Sequence, residues 1–363
     1  MTTRAGWRVG VGLAAVLLGL AATPARGETE LLGPLRIRDM TPFNLLRLDM
    51  LPAHAVSAGP GSWAIEADLS YSNTFVMSDN VKSYLEARGE RRPLTQADAD
   101  AILGLGRDAY YVDGEFGLLD LTFHYGLTRR SSVYLTLSAY DFTGGFLDGT
   151  IEGFHRTFGL DTEGRDLVAR DRFQGVLSVE GIKTSFLSPP IEGGLGDPVI
   201  GLRHTWPLSG SRWGLVLDGA VKIAWRGERL FLSTGTDDYG LQASLQGKFS
   251  RQAVYLGASF VRTDGQVFGV ALKRVVIPTL TAAYEVGVTR HTNAILQLYA
   301  SESTVRDTTI DELKADKFQA SLGLRTLRGQ LVYGFAVTEN VANFANTPDI
   351  GVSLTLAWIA RRP

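Results

Sequence analysis

The chain has 363 residues and a formal net charge of −2, with 36 Lys and Arg against 38 Asp and Glu. That balance excludes the basic stripe of a nucleic-acid binder. The lack of any cysteine excludes a disulfide framework or a thiolate metal site.

The first residues read as a secretory signal. Arg4 and Arg8 give a positive start, Val9 to Ala22 is an uncharged apolar core, and Ala25-Arg26-Gly27 supplies small residues at the −3 and −1 positions. The core falls short of the roughly 20 residues that a membrane helix needs, so residues 1–27 are expected to be cleaved. No cysteine near that point offers a lipid attachment site. Residues 28–61 follow, including the Pro-interrupted stretch LRIRDMTPFNLLRLDMLPA. With no regular period, this segment is expected to cover the periplasmic mouth, enter the lumen as a plug, or form a loose leader.

From Trp63 onward strict alternation takes over. Trp63, Ile65, Ala67, Leu69 and Tyr71 oppose Glu66, Asp68 and Ser70; Leu119, Leu121, Phe123 and Tyr125 oppose Asp120, Thr122 and His124. Trp213 to Trp225, Tyr239 to Gly247, Leu280 to Val288, Phe318 to Arg325 and Ile350 to Trp358 repeat the pattern. Period-two alternation means strands with one apolar face. Short turns at 127–131, 208–212, 250–252, 290–292 and 327–329 alternate with long polar connections at 76–109, 142–194, 226–237, 263–274, 305–316 and 339–348. Short periplasmic turns and long external loops mark a transmembrane antiparallel β-barrel. Parity places Gln174 to Phe186 inside the second external loop, as a hairpin arm or a strand extension rising above the membrane. About 12 spans remain (range 10–14), forming a barrel domain over 62–360 with a tail at 361–363.

Two loop helices are expected. Thr95 can cap a short one over TQADADAIL in the first external loop. In the second, Phe146, Leu147, Ile151, Phe154 and Phe158 recur at near-helical spacing around His155, with Asp148 to cap and Gly159 to stop the helix. Such a stripe would constrict the barrel mouth as a gate, sit at the outer-leaflet interface, or simply pack the loop.

The chemistry of the predicted lumen is mixed in sign. Glu66, Asp68, Glu115, Asp120, Asp218 and Glu285 are expected to face inward with His124, Arg203, Lys222, Lys248 and Arg325. In hydrocarbon a charge at mid-depth costs about 2–4 kcal/mol, so inward placement is expected whatever the function. No G-x-S-x-G elbow accompanies the histidines, His204 points outward by alternation, and no spacing indicates zinc or calcium. No catalytic residue, metal ligand or cofactor is therefore assigned.

R-D-x-x-P-F at Arg38 to Phe43, the block GGFLDGTIEGFHRTFGL and GLGDPVIGLRHTWPL from Gly194 to Leu208 occur together. The combination resembles the proteobacterial domain-of-unknown-function family 3187. That resemblance implies an envelope β-barrel and carries no activity with it. Trp358 is followed by Ile359-Ala360-Arg361-Arg362-Pro363, where outer-membrane barrels usually end on an aromatic residue.

The expectation is an outer-membrane barrel that is a narrow, gated channel for small hydrophilic or amphipathic molecules. Its partners would be outer-membrane lipids, the barrel-assembly machinery and a small solute. An outer-leaflet lipid-modifying enzyme and a structural or surface-interaction barrel stand as alternatives.

Overall fold

The computed structural model describes residues 30–360 apart from 55–57, 107, 160, 180, 209–211, 226, 228–230, 268–269, 306–307 and 343–347. The expected signal segment and the 361–363 tail lie outside the described residues. In chain order the strands are β1 (Trp63–Met77), β2 (Ala109–Gly126), β3 (Ser131–Thr143), β4 (Gln174–Val179) and β5 (Ile182–Phe186). Next come β6 (Gly193–Leu195), β7 (Val199–Pro207), β8 (Trp213–Lys222), β9 (Asp238–Phe249) and β10 (Gln252–Val267). The last are β11 (Val270–Gly287), β12 (Thr292–Ser301), β13 (Lys317–Arg328), β14 (Leu331–Ala342) and β15 (Ile350–Ile359).

Twelve of these strands close a ring, β1–β2–β3–β7 and on through β15 back to β1, with every pair antiparallel. The alternation sets the register. Ile65 faces Trp358 and Leu69 faces Leu354 across the closing seam, so a one-residue slip would turn both apolar rows inward. The outer wall exposes Leu69, Leu119, Leu241, Leu256, Leu280, Leu298, Leu324, Leu354 and Leu356. A continuous apolar band of this kind is what a barrel shows to lipid, and the chain is a closed antiparallel β-barrel of twelve strands.

The three remaining strands lie at the long-loop end. β4 pairs along Ala109–Asp113 of β2, with β5 folded back on it, as loop parity requires. β6 continues the line of β7 against the upper part of β3. The connection at 263–274 differs from the expected loop, because β10 and β11 stay paired up to Val267 and Val270. The pairing runs on beyond the apolar band, where Val267 joins a buried cluster at the long-loop end. A bulge between Thr263 and Gly265 bends this extension. Gly265 has φ +93°, and a Cβ there would come 2.0 Å from the Thr234 carbonyl oxygen.

The helices are α1 (Asp79–Arg88), α2 (Gln96–Leu103), α3 (Asp148–Phe158) and the single turn α4 (Asp311–Lys314). Thr95 caps α2 as expected, in a reciprocal box with Asp98. α3 ends at Gly159 in the left-handed region. Its N-cap is Leu147 rather than Asp148, whose carboxylate is engaged elsewhere.

Candidate functional site

The lumen is filled by the chain's own N-terminal segment. Residues 31–50 are buried almost without break, and their wall partners trace a hairpin that runs the length of the barrel. At the short-turn end, Leu32 and Gly33 donate backbone N–H groups to Glu285 at 2.6 and 3.0 Å. The ascending leg then brings Arg36 to 3.3 Å from Glu66 and Arg38 to 3.4 Å from Asp120. At the long-loop end Asp39 meets Lys317 at 2.6 Å.

The apex is built by local sequence. The Thr41 carbonyl accepts from Asn44 N at 2.8 Å, with Pro42 at the second position of the turn, where its fixed φ fits. Asp39 accepts from the Thr41 N–H at 3.0 Å and from the Thr41 hydroxyl and the Asn44 amide. The R-D-x-x-P-F motif is therefore this turn and the two charges below it. Met40, Phe43, Leu45 and Leu46 enter an apolar cluster with Tyr110, Phe116, Phe142, Phe173 and Phe231 from the external strands and loops.

The descending leg retraces the depth. Arg47 donates to the Tyr299 hydroxyl at 3.0 Å, Leu48 N donates to Asp238 at 2.8 Å, and Gln242 donates to the Met50 carbonyl at 2.7 Å. His54 Nε2 returns to Glu66 near the short-turn end. Both ends of the hairpin thus leave through the same mouth. Two voids between hairpin and wall measure about 10 Å³ each, space for about one water.

Most sequence-assigned lumen residues are the wall side of this contact. Glu66, Asp68, Asp120, His124, Arg203, Asp218, Lys222, Glu285 and Arg325 are buried on inward-facing positions. Lys222 donates to the Leu46 carbonyl at 2.9 Å and pairs with Asp238 at 2.9 Å; Arg325 donates to the Leu32 carbonyl at 3.1 Å. Arg203 pairs with Asp218 at 2.9 Å, and Tyr134 donates to the same carboxylate. Lys248 has inward parity but is exposed at the short-turn rim.

Glu115 is on the opposite face. Its parity is that of Leu119 and Leu121, and its register partner is Asn73, on the same face as Tyr71. It is covered from outside by the second loop, accepting from Phe146 N at 3.1 Å and Leu147 N at 2.6 Å. Asp148 and Arg165 complete this outer-face cluster, with Arg165 donating to Asp148 at 2.7 Å and to Asn73 at 2.6 Å and also pairing with Asp349. Above the apolar band a polar side chain no longer marks the lumen, and only parity does.

The residues assigned to a gate sit outside the mouth. Of the stripe, Ile151 is buried and Leu147 partly so, whereas Phe146, Phe154 and Phe158 are 70, 49 and 66% exposed. His155 Nδ1 lies 2.6 Å from the Asp161 carbonyl oxygen, closing the loop on itself. Among the described residues no group of three His, Asp or Glu is placed to hold a metal ion. The hairpin residues that fill the lumen, Arg36, Arg38, Asp39, Arg47 and His54, carry no periodic signal, whereas their wall partners Lys317 and Asp238 continue the inward rows of β13 and β9. The R-D-x-x-P-F motif marked Arg38 and Asp39, and the plug reading of residues 28–61 covered the rest of the hairpin without singling out a residue.

Residues 86–358 match the family described as protein of unknown function (DUF3187). The chain belongs to this family. The hairpin and the whole of β1 precede the matched span. No curated protein matches the chain. Among solved structures, the COG4313 outer membrane channel from Pseudomonas putida F1 is similar at 12% identity, over 85% of this chain and 99% of that one, with a TM-score of 0.51. The P. putida toluene transporter TodX aligns at 9% identity over 90% of this chain and 99% of that one, with a TM-score of 0.39. The first of these likenesses is one of fold.

Proposed function

We propose that the chain is an outer-membrane channel for small hydrophilic or amphipathic molecules, held closed by its N-terminal hairpin. The observation that carries this reading is the chemistry of the hairpin's contact with the wall. Along most of its depth it is polar and ionic, through Glu66, Asp120, Lys222, Asp238, Glu285, Lys317 and Arg325. Inward charges are expected of any membrane barrel; here most of them are taken up by one separable segment that enters and leaves by a single mouth. A wall of this kind, once freed, is a hydrophilic path whose groups exchange protein partners for water at a net cost of about 1 kcal/mol per hydrogen bond.

Topology gives the direction of opening. Both legs leave by the short-turn mouth, and the returning leg is tethered there to β1, so the hairpin withdraws toward the periplasm. The apolar contacts of Phe43, Leu45 and Leu46 under the external loops oppose that withdrawal. The wall's buried strand-borne charges, Glu66, Asp68, Asp120, Asp218, Asp238 and Glu285 against Arg203, Lys222, Lys317 and Arg325, are close to balance with Lys248 at the rim. Size, more than charge, would select the solute.

The test is conductance of the refolded chain in planar bilayers. Deleting residues 28–54 should give stable open channels. Leu48→Cys with Ala220→Cys, whose positions share one cluster, should lose opening events when joined by a short bis-thiol reagent. A barrel that lacks the hairpin and still conducts nothing would end the channel reading.

A further inference from the structure

The helix α3 does not gate the lumen, yet it carries two exposed aromatic side chains, Phe154 and Phe158. Phe154 and Phe158 touch each other, with ring centroids 4.7 Å apart. Phe146, just before the helix, stacks on Tyr71 at 5.7 Å and 14°. Tyr71 is the last residue of the outward apolar row of β1, in line with Leu69, Ala67, Ile65 and Trp63. Phe146 is therefore continuous with the lipid-facing wall, and Phe154 and Phe158 follow it on the helix it precedes.

Height agrees with this placement. From Trp63 to Tyr71 the strand runs about 27 Å at about 3.4 Å per residue. Tilted by about 40°, that is about 21 Å of the roughly 25 Å apolar band of such barrels. Trp63, in contact with Tyr125 at 4.8 Å, then stands at one interface, and Tyr71 with Phe146 stands at the other.

The helix is also rotated correctly. At 3.6 residues per turn, Phe154 and Phe158 both lie to one side of Ile151, which is buried. Both helix carboxylates turn away from the aromatic side: Asp148 to Arg165 and Asp171 N, Glu152 to Arg91 and Arg170. An amphipathic helix of this form lies in the headgroup–acyl boundary with its aromatic side down.

We propose that α3 is an interfacial helix whose Phe154 and Phe158, with Phe146, insert into the outer-leaflet boundary beside β1. The occupant of this surface is bilayer lipid. The proposal rests on the reading that the barrel spans a bilayer, and its test separates the two.

The chain has no cysteine, so single thiols can be placed cleanly. Phe158→Cys, Phe154→Cys, Leu69→Cys on the wall and Ala97→Cys on the exposed side of α2 would each be nitroxide-labelled. The full refolded chain would be studied in phosphatidylethanolamine–phosphatidylglycerol vesicles. Power saturation would then compare access to oxygen, which partitions into lipid, and to a water-soluble nickel chelate. The expected result is nickel access at Phe158→Cys and Phe154→Cys several-fold below that at Ala97→Cys, with oxygen access approaching that at Leu69→Cys. Nickel access equal to Ala97→Cys, with Leu69→Cys still in lipid, would overturn the proposal and leave the barrel reading standing. Shielding of both loop positions from both reagents would mean a protein contact and would also overturn it. Water exposure at Leu69→Cys would remove the membrane reading itself.

Discussion

His54 Nε2 stands 2.7 and 2.8 Å from the two carboxylate oxygens of Glu66, joining the foot of the descending leg to β1. Arg36 reaches the same carboxylate from the ascending leg at 3.3 Å, and Arg325 and His124 approach it from the wall at 3.6 and 3.7 Å. One wall residue thus holds both legs. In Glu66→Gln, Arg36 and Arg325 lose a buried counter-charge, and breaking a buried pair in this way costs about 3–5 kcal/mol. The barrel has many other strand contacts, so the expected outcome is a released hairpin: faster proteolysis before Trp63 and more frequent opening in planar bilayers. Unchanged proteolysis and gating would remove Glu66 as the latch.

A second buried ion-pair cluster holds the hairpin at the far end. Asp39 and Lys317 are both buried and 2.6 Å apart, with Arg47 at 3.7 Å from the same carboxylate. Lys317→Met alone strands Asp39 beside one distant cation, and Asp39→Asn alone strands Lys317. Together the two substitutions remove a charge pair and its desolvation cost at once. The double variant is therefore expected to lose less than the sum of the singles, with a coupling of about 0.5–3 kcal/mol, read from urea unfolding in lipid. Additive losses would mean that the two groups do not act as a pair.

The wall of this protein was legible in its sequence, and its contents were less so. Each strand repeats an apolar and a polar face over many residues, and the alternation of long and short connections orders the strands and puts Gln174–Phe186 outside the ring. The hairpin is governed by single contacts instead. Arg36, Arg38 and Asp39 each answer one wall residue at one depth, and nothing periodic announces them. Glu115 shows a second limit. Polarity identifies the lumen only where lipid covers the other face, and Glu115 sits above that level, where α3's first residues cover it. The aromatic stripe of α3 was visible, but the surface it meets depends on where Tyr71 ends the apolar band.

The first external loop carries an acid-sensitive support. Burial works against ionisation of Asp98, yet hydrogen bonds from Arg92, Thr95 and Tyr84 outweigh it and hold the carboxyl well below the usual carboxylate range. A folded value below the unfolded one gives stability that is complete above the unfolded value of about 3.9. That stability is lost as pH falls from there through the folded value. Amide exchange protection in α2 should therefore fall below about pH 4, and Asp98→Asn should abolish that pH response while costing about 0.5–2 kcal/mol as a lost cap. A pH response that survives in Asp98→Asn would assign it to another group.

Glu115 and Asp120 lie five positions apart on β2 and belong to opposite sides of the wall. Asp120 faces the hairpin, pairing with Arg38 at 3.4 Å, and Ser138 donates to it. Glu115 faces outward and holds the N–H groups of Phe146 and Leu147 at the start of α3. Two isosteric changes should therefore separate cleanly. Asp120→Asn weakens a hairpin contact to a buried cation, worth about 1.5–3 kcal/mol for a charged hydrogen bond, and should raise channel opening while leaving the second loop intact. Glu115→Gln replaces a charged acceptor by a neutral one under α3 and should speed trypsin cleavage at the exposed Arg170 and Arg172. Channel opening should stay at its original frequency in that variant, because no lumen contact has changed. Equal effects of the two substitutions on opening would place both carboxylates on the lumen side, against the register that pairs Glu115 with Asn73 and Asp120 with Asp68.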